Sequence, residues 1–574
     1  MKARIVLIGS ILLGCFSAVW ADTHYVNINS ATAAVPYTNW ATAATSIQDA
    51  VDVAIAGDTV LVAAGAYTQG GRVVATVSNR IVVTNAITVR SASGPDATFI
   101  VGAQGSGTFW DGAVRCAYLI NGAQLVGFTL TNGCTLHVTG DWENKESGGG
   151  VWGSNGTVSN CVIVGCAAGM YGGGVYLGSV LNCRVEGNTA FYGGGTYGST
   201  VRRCWIARNS AGQGGGTREG VIENSMILGN TATYGGGTRD GTIRNCTIVG
   251  NSAVEGGASY GTATIDNSIA YYNSATFWGP NFHDRPSYGT QTYRNSCTFP
   301  TPSGSGNITN EPLIVGIDGP YLTARSPCIN SGSNAYAGAG ADIEGDARIV
   351  GGIVDMGCDE FTASSVTGSL AVAITATYTS VVLGITTPFE AVIQGKAVGF
   401  VWDWGDGSLS TNCFRTVYTY MTTGRYDVVL IASNVDVTAY ATVSVDVVAG
   451  YINYVALDGA HVPPFLNWTE AATNIQDAID VAPAGGTVMV GEGVYDQGMR
   501  EYGLSIWHAT PHRVAIWKPL TVIASNSSPE KTQIRGTGPM GTNAVRCVYV
   551  ASGSTAVSTF ASTFVCSQSG ATRP

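Results

Sequence analysis

The sequence predicts an all-β protein whose main body is a parallel β-helix, and three observations carry that prediction. Triple glycines begin at Gly148, Gly172, Gly193, Gly214 and Gly235, with Gly-Gly-Ala at Gly256, so the steps are 24 residues once and 21 residues four times. A fixed short period marks a solenoid, and this one is too short for the helix pairs of α-solenoids, which need about 33 residues. Between the triples runs one phrase of small and β-branched residues with no helical apolar spacing, which favours strands. Composition agrees: 11% of residues are charged and 78 are glycine, against about 25% and about 7% in an average soluble chain.

Each column of the aligned phrase has a place in such a coil. An apolar column reads Val158, Val180, Val201, Ile222, Ile243 and Ile265, and inward Val and Ile on stacked coils form one continuous core. The next reads Asn160, Asn182, Arg203, Asn224, Asn245 and Asn267; asparagine tolerates the left-handed turn conformation, so two short strands are expected to meet at Asn245. The third reads Cys161, Cys183, Cys204, Ser225, Cys246 and Ser268. Serine in the same column indicates that small size matters there rather than a disulfide, so buried thiols are expected. The last reads Cys166, Asn188, Asn209, Asn230, Asn251 and Asn273, positioned for amide-to-amide bonding along the stack. The Gly-rich stretch is expected to supply the return path.

A stack of coils needs covered ends. Upstream, Ile47, Ala50, Val51 and Ala54 follow the capping candidate Ser46 at helical spacing, and a strand is expected from Thr59 to Val62. Ahead of this lid, Lys2 and Arg4 precede an apolar run that ends at Ala21, which reads as an export signal over 1–21. A lipoprotein signal with Cys15 acylated is the alternative. The run is too short for a good membrane span. Of the 14 cysteines, removal of Cys15 leaves an odd number, so at least one thiol has no partner in the chain.

The lid phrase, the Gly-Asn-Ser/Thr-Ala coils and the closing phrases "SPCINSG" and "VDMGCDEF" together resemble the pectin-lyase-like right-handed β-helix proteins, above all bacterial surface proteins with choice-of-anchor endings. The likeness spans roughly 24–361 and sets the first domain at 22–361, with Cys328 and Cys358 the pair to test for a disulfide. From about Thr367 the triples give way to alternating Val, Ile and Thr, and "WDWGDGS" at 402–408 with "GRYDVVLIASN" resembles a PKD domain, an immunoglobulin-like sandwich, over 364–449. Its Trp402 or Trp404 is expected in the core beside an Asp-Gly turn at Asp406; calcium at Asp403 or Asp406 is the alternative. Then the chain restarts: "NYVALDG" onward from Asn453 echoes His24 onward, and "AVRCVYV" at Ala544 echoes "AVRCAYL" at Ala113. The start of a second, incomplete β-helix is therefore expected at 450–550, with 551–574 a disordered tail.

Chemistry is less legible. With 28 basic against 38 acidic residues there is no basic field for phosphates, which excludes nucleic acid as a partner. Six histidines without HExxH or CxxC spacing argue against zinc, and the triples lack the aspartate spacing of calcium nonapeptides. No cofactor is expected, calcium alone being left open. Tyr171, Tyr192 and Tyr234 precede the triples, while Tyr176, Tyr197 and Tyr260 follow them. Stacked outward, these rings could line a groove for sugars; as a bland reading they pack coil on coil. Glu219 and Asp240 share a column one coil apart, with Arg218 and Arg239 beside them, and the irregular stretch at 136–147 holds His137, Asp141, Trp142, Glu143, Lys145 and Glu146. Acidic pairs of this kind serve glycoside hydrolysis, and the resembled superfamily implies lyase chemistry with acidic residues, often with calcium. The favoured expectation is an exported cell-surface or extracellular, non-catalytic β-helix protein that binds extracellular polysaccharide or cell-surface glycan or has an adhesive or structural role; a purely structural repeat protein is a further possibility. A polysaccharide lyase or glycoside hydrolase is the alternative.

Overall fold

The structure is a computed structural model that describes residues 21–106, 111–136, 141–283, 289–316, 319–338, 340–450, 452–484, 486–502, 510–518, 520–526, 531–537 and 545–550. Residues 1–20 of the expected signal, His137 and the expected tail lie outside the described residues. The chain divides into two compact units, the first holding residues through Asn307 with Ala341–Asp346, the second holding Ile308–Gly340 and the chain from Ala347 on.

In the first unit every parallel pairing joins one coil to the next. Strands of eleven, ten and nine members form three long sheets, and a fourth sheet of five strands closes part of the return path. One regular coil shows the plan: Thr217–Arg218 in the nine-stranded sheet, Val221–Glu223 in the eleven-stranded sheet, Met226–Leu228 in the ten-stranded sheet, Thr231–Tyr234 in the fourth, then the glycines. The two strands expected around each turn asparagine are present. The return path runs through the Gly-rich stretch as expected and carries two further short strands, one on either side of the glycines.

Registry follows the columns. Val158 pairs with Val180, then Val201, Ile222, Ile243 and Ile265 in succession, and all six are buried. The turn residues Asn224, Asn245 and Asn267 have φ of 48°, 48° and 45°, the left-handed values that asparagine accepts. The later asparagines form a continuous ladder. The Asn188, Asn209, Asn230 and Asn251 amides each donate to Oδ1 of the next asparagine, at 3.0, 3.0, 2.9 and 2.9 Å. That same Oδ1 also accepts the backbone N–H of the preceding asparagine at 2.9 Å, so each buried turn is satisfied by its neighbour.

The cysteine column holds a second ladder, which corrects the expectation of a merely small apolar side chain. The N–H of Cys161 donates to Cys183 Sγ at 3.4 Å, that of Cys183 to Cys204 Sγ at 3.3 Å, and that of Cys204 to Ser225 Oγ at 3.1 Å. Cysteine and serine alternate because both present a small acceptor to a backbone donor left over at the turn. Burial pushes the Cys161 and Cys183 thiols well above the ordinary range, so they stay protonated. At the glycine corner space is the constraint: a Cβ on Gly215 would lie 2.5 Å from the Gly236 carbonyl oxygen and 2.5 Å from that of Thr231.

The lid forms as expected. Helix α1 (Ile47–Val53) is capped by Ser46, whose hydroxyl accepts from Asp49 N–H at 3.2 Å, and Ile47, Ala50, Val51 and Ala54 are buried. Strand Thr59–Val62 pairs with Thr23–Val26. A short helix α2 (Trp142–Lys145) interrupts the coils before the first triple.

The second unit contains a β-sandwich. A three-stranded antiparallel sheet (Ala371–Ala376, Thr386–Gln394, Arg415–Thr419) accompanies a five-stranded sheet in which Gly399–Asp403, Gly424–Ser433 and Thr438–Val448 are central. Both Trp402 and Trp404, not one of them alone, are buried, and they stack at 5.3 Å and 6°. Asp403 and Asp406 serve the turn: their Oδ1 atoms accept from Gly405 and Ser408 N–H at 3.0 Å each. Beyond it a second lid with helix α3 (Ile475–Val481) opens further parallel pairs, Ile452–Val455 with Thr487–Val490 and then Thr521–Ala524. Cys328 and Cys358 are both buried in this unit.

Candidate functional site

The aromatic residues fall into two columns on either side of the glycine corner. On the nine-stranded sheet, registry stacks Tyr118, Trp152, Tyr176, Tyr197, Arg218, Arg239 and Tyr260. On the fourth sheet it stacks Tyr192, Gln213, Tyr234 and Glu255, with Tyr171 bridged to Tyr192. Glycines leave no side chain between the columns, so their rings meet: Tyr171 lies 4.6 Å from Tyr197 and 5.5 Å from Tyr192, and Tyr118 stacks on Trp152 at 4.6 Å. The result is a ribbon of touching rings packed coil on coil, the bland one of the two arrangements the sequence allowed. Tyr176 and Tyr260 are buried, and Tyr171, Tyr192, Tyr197 and Tyr234 are half-buried.

Arginine continues the ribbon where tyrosine stops. The Arg218 guanidinium lies 4.1 Å above the Tyr192 ring and donates to Gln213 Oε1 at 3.0 Å. One coil on, Arg239 lies 5.2 Å over Tyr260, whose ring is 5.2 Å from Tyr234. Such contacts fix flat cationic groups beside flat rings.

The acidic candidates separate into two groups. Glu219 contacts the ribbon through its carboxylate and Glu143 through its backbone carbonyl. Glu219 Oε1 accepts the Tyr197 hydroxyl at 3.0 Å. Burial, followed by the charges of Glu143, Tyr171 and Glu219, pushes the Tyr176 hydroxyl up to about 12. Burial and the Glu219 hydrogen bond raise Tyr197 further. These hydroxyls are protonated donors at neutral pH. Asp240, Asp141 and Glu146 do other work. Asp240 Oδ1 accepts the N–H and the hydroxyl of Thr262 at 2.8 and 3.0 Å, which closes a turn. Asp141 binds the Asn144 amide at 3.0 Å within α2, and Glu146 is buried. Glu219 and Asp240 both sit at φ 59°, one turn position on successive coils, so their side chains run alongside one another instead of flanking a bond.

Helix α2 is held from below by Arg115, which is fully buried and donates to the carbonyls of Gly148, Asn144 and Ser147 at 2.9, 3.0 and 2.8 Å, and to Asn79 Oδ1 at 2.7 Å. That anchoring sets Trp142, which is half exposed, and lets the Glu143 carbonyl accept Trp152 Nε1 at 2.8 Å. Two features escaped the sequence reading. Phe191 is 51% exposed and stands edge-on to Tyr192 at 4.6 Å; its column otherwise holds Gly212, Thr233 and Val254, so no repeat marked it. Arg202, Glu223, Arg244, Asp266 and Arg294 form an alternating charge ladder, with Arg202–Glu223 at 2.8 Å and Arg294–Asp266 at 2.7 Å.

Among the described residues, no group of three His, Cys, Asp or Glu side chains is placed to hold a metal ion, and no helix is long and apolar enough to cross a membrane.

By its fold the chain is a parallel β-helix protein. Among solved structures it is similar to the crystal structure of the pectate lyase Pel9A, with a TM-score of 0.41 and 15% sequence identity over 59% of this chain and 96% of that one. No protein-family model and no curated protein sequence matches the chain.

Proposed function

We propose that this is an exported, cell-surface or extracellular protein that holds polysaccharide or surface glycan against the aromatic ribbon without cleaving it. The observation that carries the reading is the half-exposed double column of Tyr171, Tyr192, Tyr197 and Tyr234 beside a floor of glycine. Rings held by their neighbours present apolar faces at little entropic cost, and the Arg218 guanidinium over Tyr192 adds a charged donor for sugar oxygens. Trp142 and Phe191 extend the surface at its margins. The sandwich, with its resemblance to PKD domains, fits a spacer role.

A glycan array on the full chain tests this. Binding without release of reducing ends, weakened at least about tenfold in Tyr192→Ala/Tyr197→Ala, supports the reading. Equal binding by that variant contradicts it.

Glu219, bonded to the Tyr197 hydroxyl, and Glu143, whose backbone carbonyl accepts Trp152 Nε1, border the ribbon and favour a second reading, a polysaccharide lyase or glycoside hydrolase. Against it, Glu219 is already engaged by Tyr197 and lies 3.6 Å from Arg218 Nε. Turnover abolished by Glu143→Gln or Glu219→Gln would establish the enzyme.

A further inference from the structure

Each of the two lids displays a tryptophan that folding alone does not explain. Trp40 follows Asn39 in the first lid, and Trp468 follows Asn467 in the second. Both indoles are 43% exposed. Each stands edge-on to a tyrosine of the opening strand, Trp40 to Tyr25 at 4.7 Å and 69°, Trp468 to Tyr454 at 4.8 Å and 64°. The backbone beneath is the same in both: Tyr25 N–H donates to the Tyr37 carbonyl and Tyr454 N–H to the Phe465 carbonyl, each at 2.7 Å, with φ of 63° at Tyr37 and 64° at Phe465.

Around this pair the two copies have diverged. Thr38 corresponds to Leu466, Ala41 to Thr469 and Thr42 to Glu470. Asn39 and Asn467 persist for a structural reason, since each Oδ1 accepts the backbone N–H three residues on at 3.0 Å. The tryptophans have no such duty. Neither indole N–H has a hydrogen-bond partner among the described residues, and no cation lies over either ring. A half-exposed indole adds little to folding that a smaller apolar residue would not. What the two copies hold constant is an open aromatic face, an unused donor at its edge, and a tyrosine that fixes the ring's angle.

We propose that Trp40 and Trp468 are twin carbohydrate-stacking platforms, each taking the C–H face of a neutral pyranose with the indole N–H directed to a sugar oxygen. The chemistry is that of an amphipathic ring with one apolar face and one polar edge. Uncharged sugars are favoured because each platform is built from Trp, Tyr and Asn, with no basic group stacked on it to attract a uronate. The proposal does not rest on the aromatic ribbon, which lies on other coils.

The test uses the full chain labelled with 5-fluorotryptophan, the Trp40 and Trp468 resonances being assigned through Trp40→Phe and Trp468→Phe. Cellohexaose and the hexamer of N-acetylglucosamine are the probes, each at millimolar concentration. The expected result is that one of these sugars shifts both resonances saturably, with affinities within about tenfold of each other because the two geometries match. The same shifts persist in Tyr192→Ala/Tyr197→Ala, which separates this proposal from ribbon binding. Resonances that stay fixed with both sugars, or a shift confined to one platform, overturn it.

Discussion

Ser46 caps the first lid helix and Asn474 the second, and each side-chain oxygen accepts the N–H three residues on, from Asp49 and Asp477. Gln48 and Gln476 then do identical work. Gln48 Oε1 accepts Val82 N–H at 2.7 Å while its amide reaches Asp52, and Gln476 Oε1 accepts Ala515 N–H at 2.7 Å while its amide reaches Asp480. Arg80 binds the carbonyls of Val101 and Gly70; Arg513 binds those of Arg535 and Gly498. The copies part at the arginine of "AVRC". Arg115 is fully buried under four acceptors, three of them carbonyls of the α2 turn, whereas Arg546 is exposed. A lid and its first coils are thus specified by local contacts, while burial of the arginine depends on acceptors that only the next coil provides.

This contrast orders the expected effects of substitution. Arg115→Met takes the donor from the buried Gly148 and Ser147 carbonyls, the partly buried Asn144 carbonyl and Asn79 Oδ1 and should destabilise the first β-helix by about 3 kcal/mol or more. Arg546→Met should stay within about 0.5 kcal/mol. Urea unfolding of both variants checks the pair, and equal losses would break the comparison. Within the coils, Asn230→Leu removes an acceptor of Asn209 N–H and a donor to the Ile206 carbonyl. We expect a loss of about 2–3 kcal/mol, measured in the same way.

The lids should also differ in acid. His24 Nε2 meets Asp58 Oδ2 at 3.1 Å in the first, where Asn453 and Gly486 stand in the second. Burial alone would raise the Asp58 carboxyl, but N–H donors from Ile55 and Asp22 and the His24 contact outweigh it and hold the group below its ordinary 3.8. A lowered folded-state value means stability that is present above 3.8 and lost as pH falls through the depressed value. Hydrogen exchange followed from neutral pH into acid should therefore show α1 opening before α3, and Asp58→Asn should abolish the difference. The smallest effect belongs to the thiol column. Cys204→Ser keeps an acceptor for Cys183 N–H and should be within about 0.5 kcal/mol of wild type, whereas Cys204→Ala should cost about 1 kcal/mol.

How far these features could be read in advance depended on period and chemistry together. The Ile222, Ile243 and Ile265 column and the Asn188 to Asn273 ladder were legible because one residue type recurs at one step. The strand Thr217–Arg218 was not, since two residues carry no alternation. The acceptor role of Cys204 stayed hidden because its donor, the N–H of Cys183, lies a coil away. At the candidate site, the tyrosines were visible from their position beside the glycines. Their collapse into a touching ribbon follows from the missing Cβ atoms across the corner. Glu143 lies outside the repeat, so nothing in its spacing linked it to Glu219.

The account depends on in-register stacking of successive coils, and spin-label distances test that most directly. Arg202 and Arg294 sit four registered steps apart on the outer face of the eleven-stranded sheet. Nitroxides carried there by unnatural residues should give a narrow distribution near 20 Å, since each step is about 4.8 Å. A broad distribution, or one centred beyond about 30 Å, would contradict the winding and everything built on it.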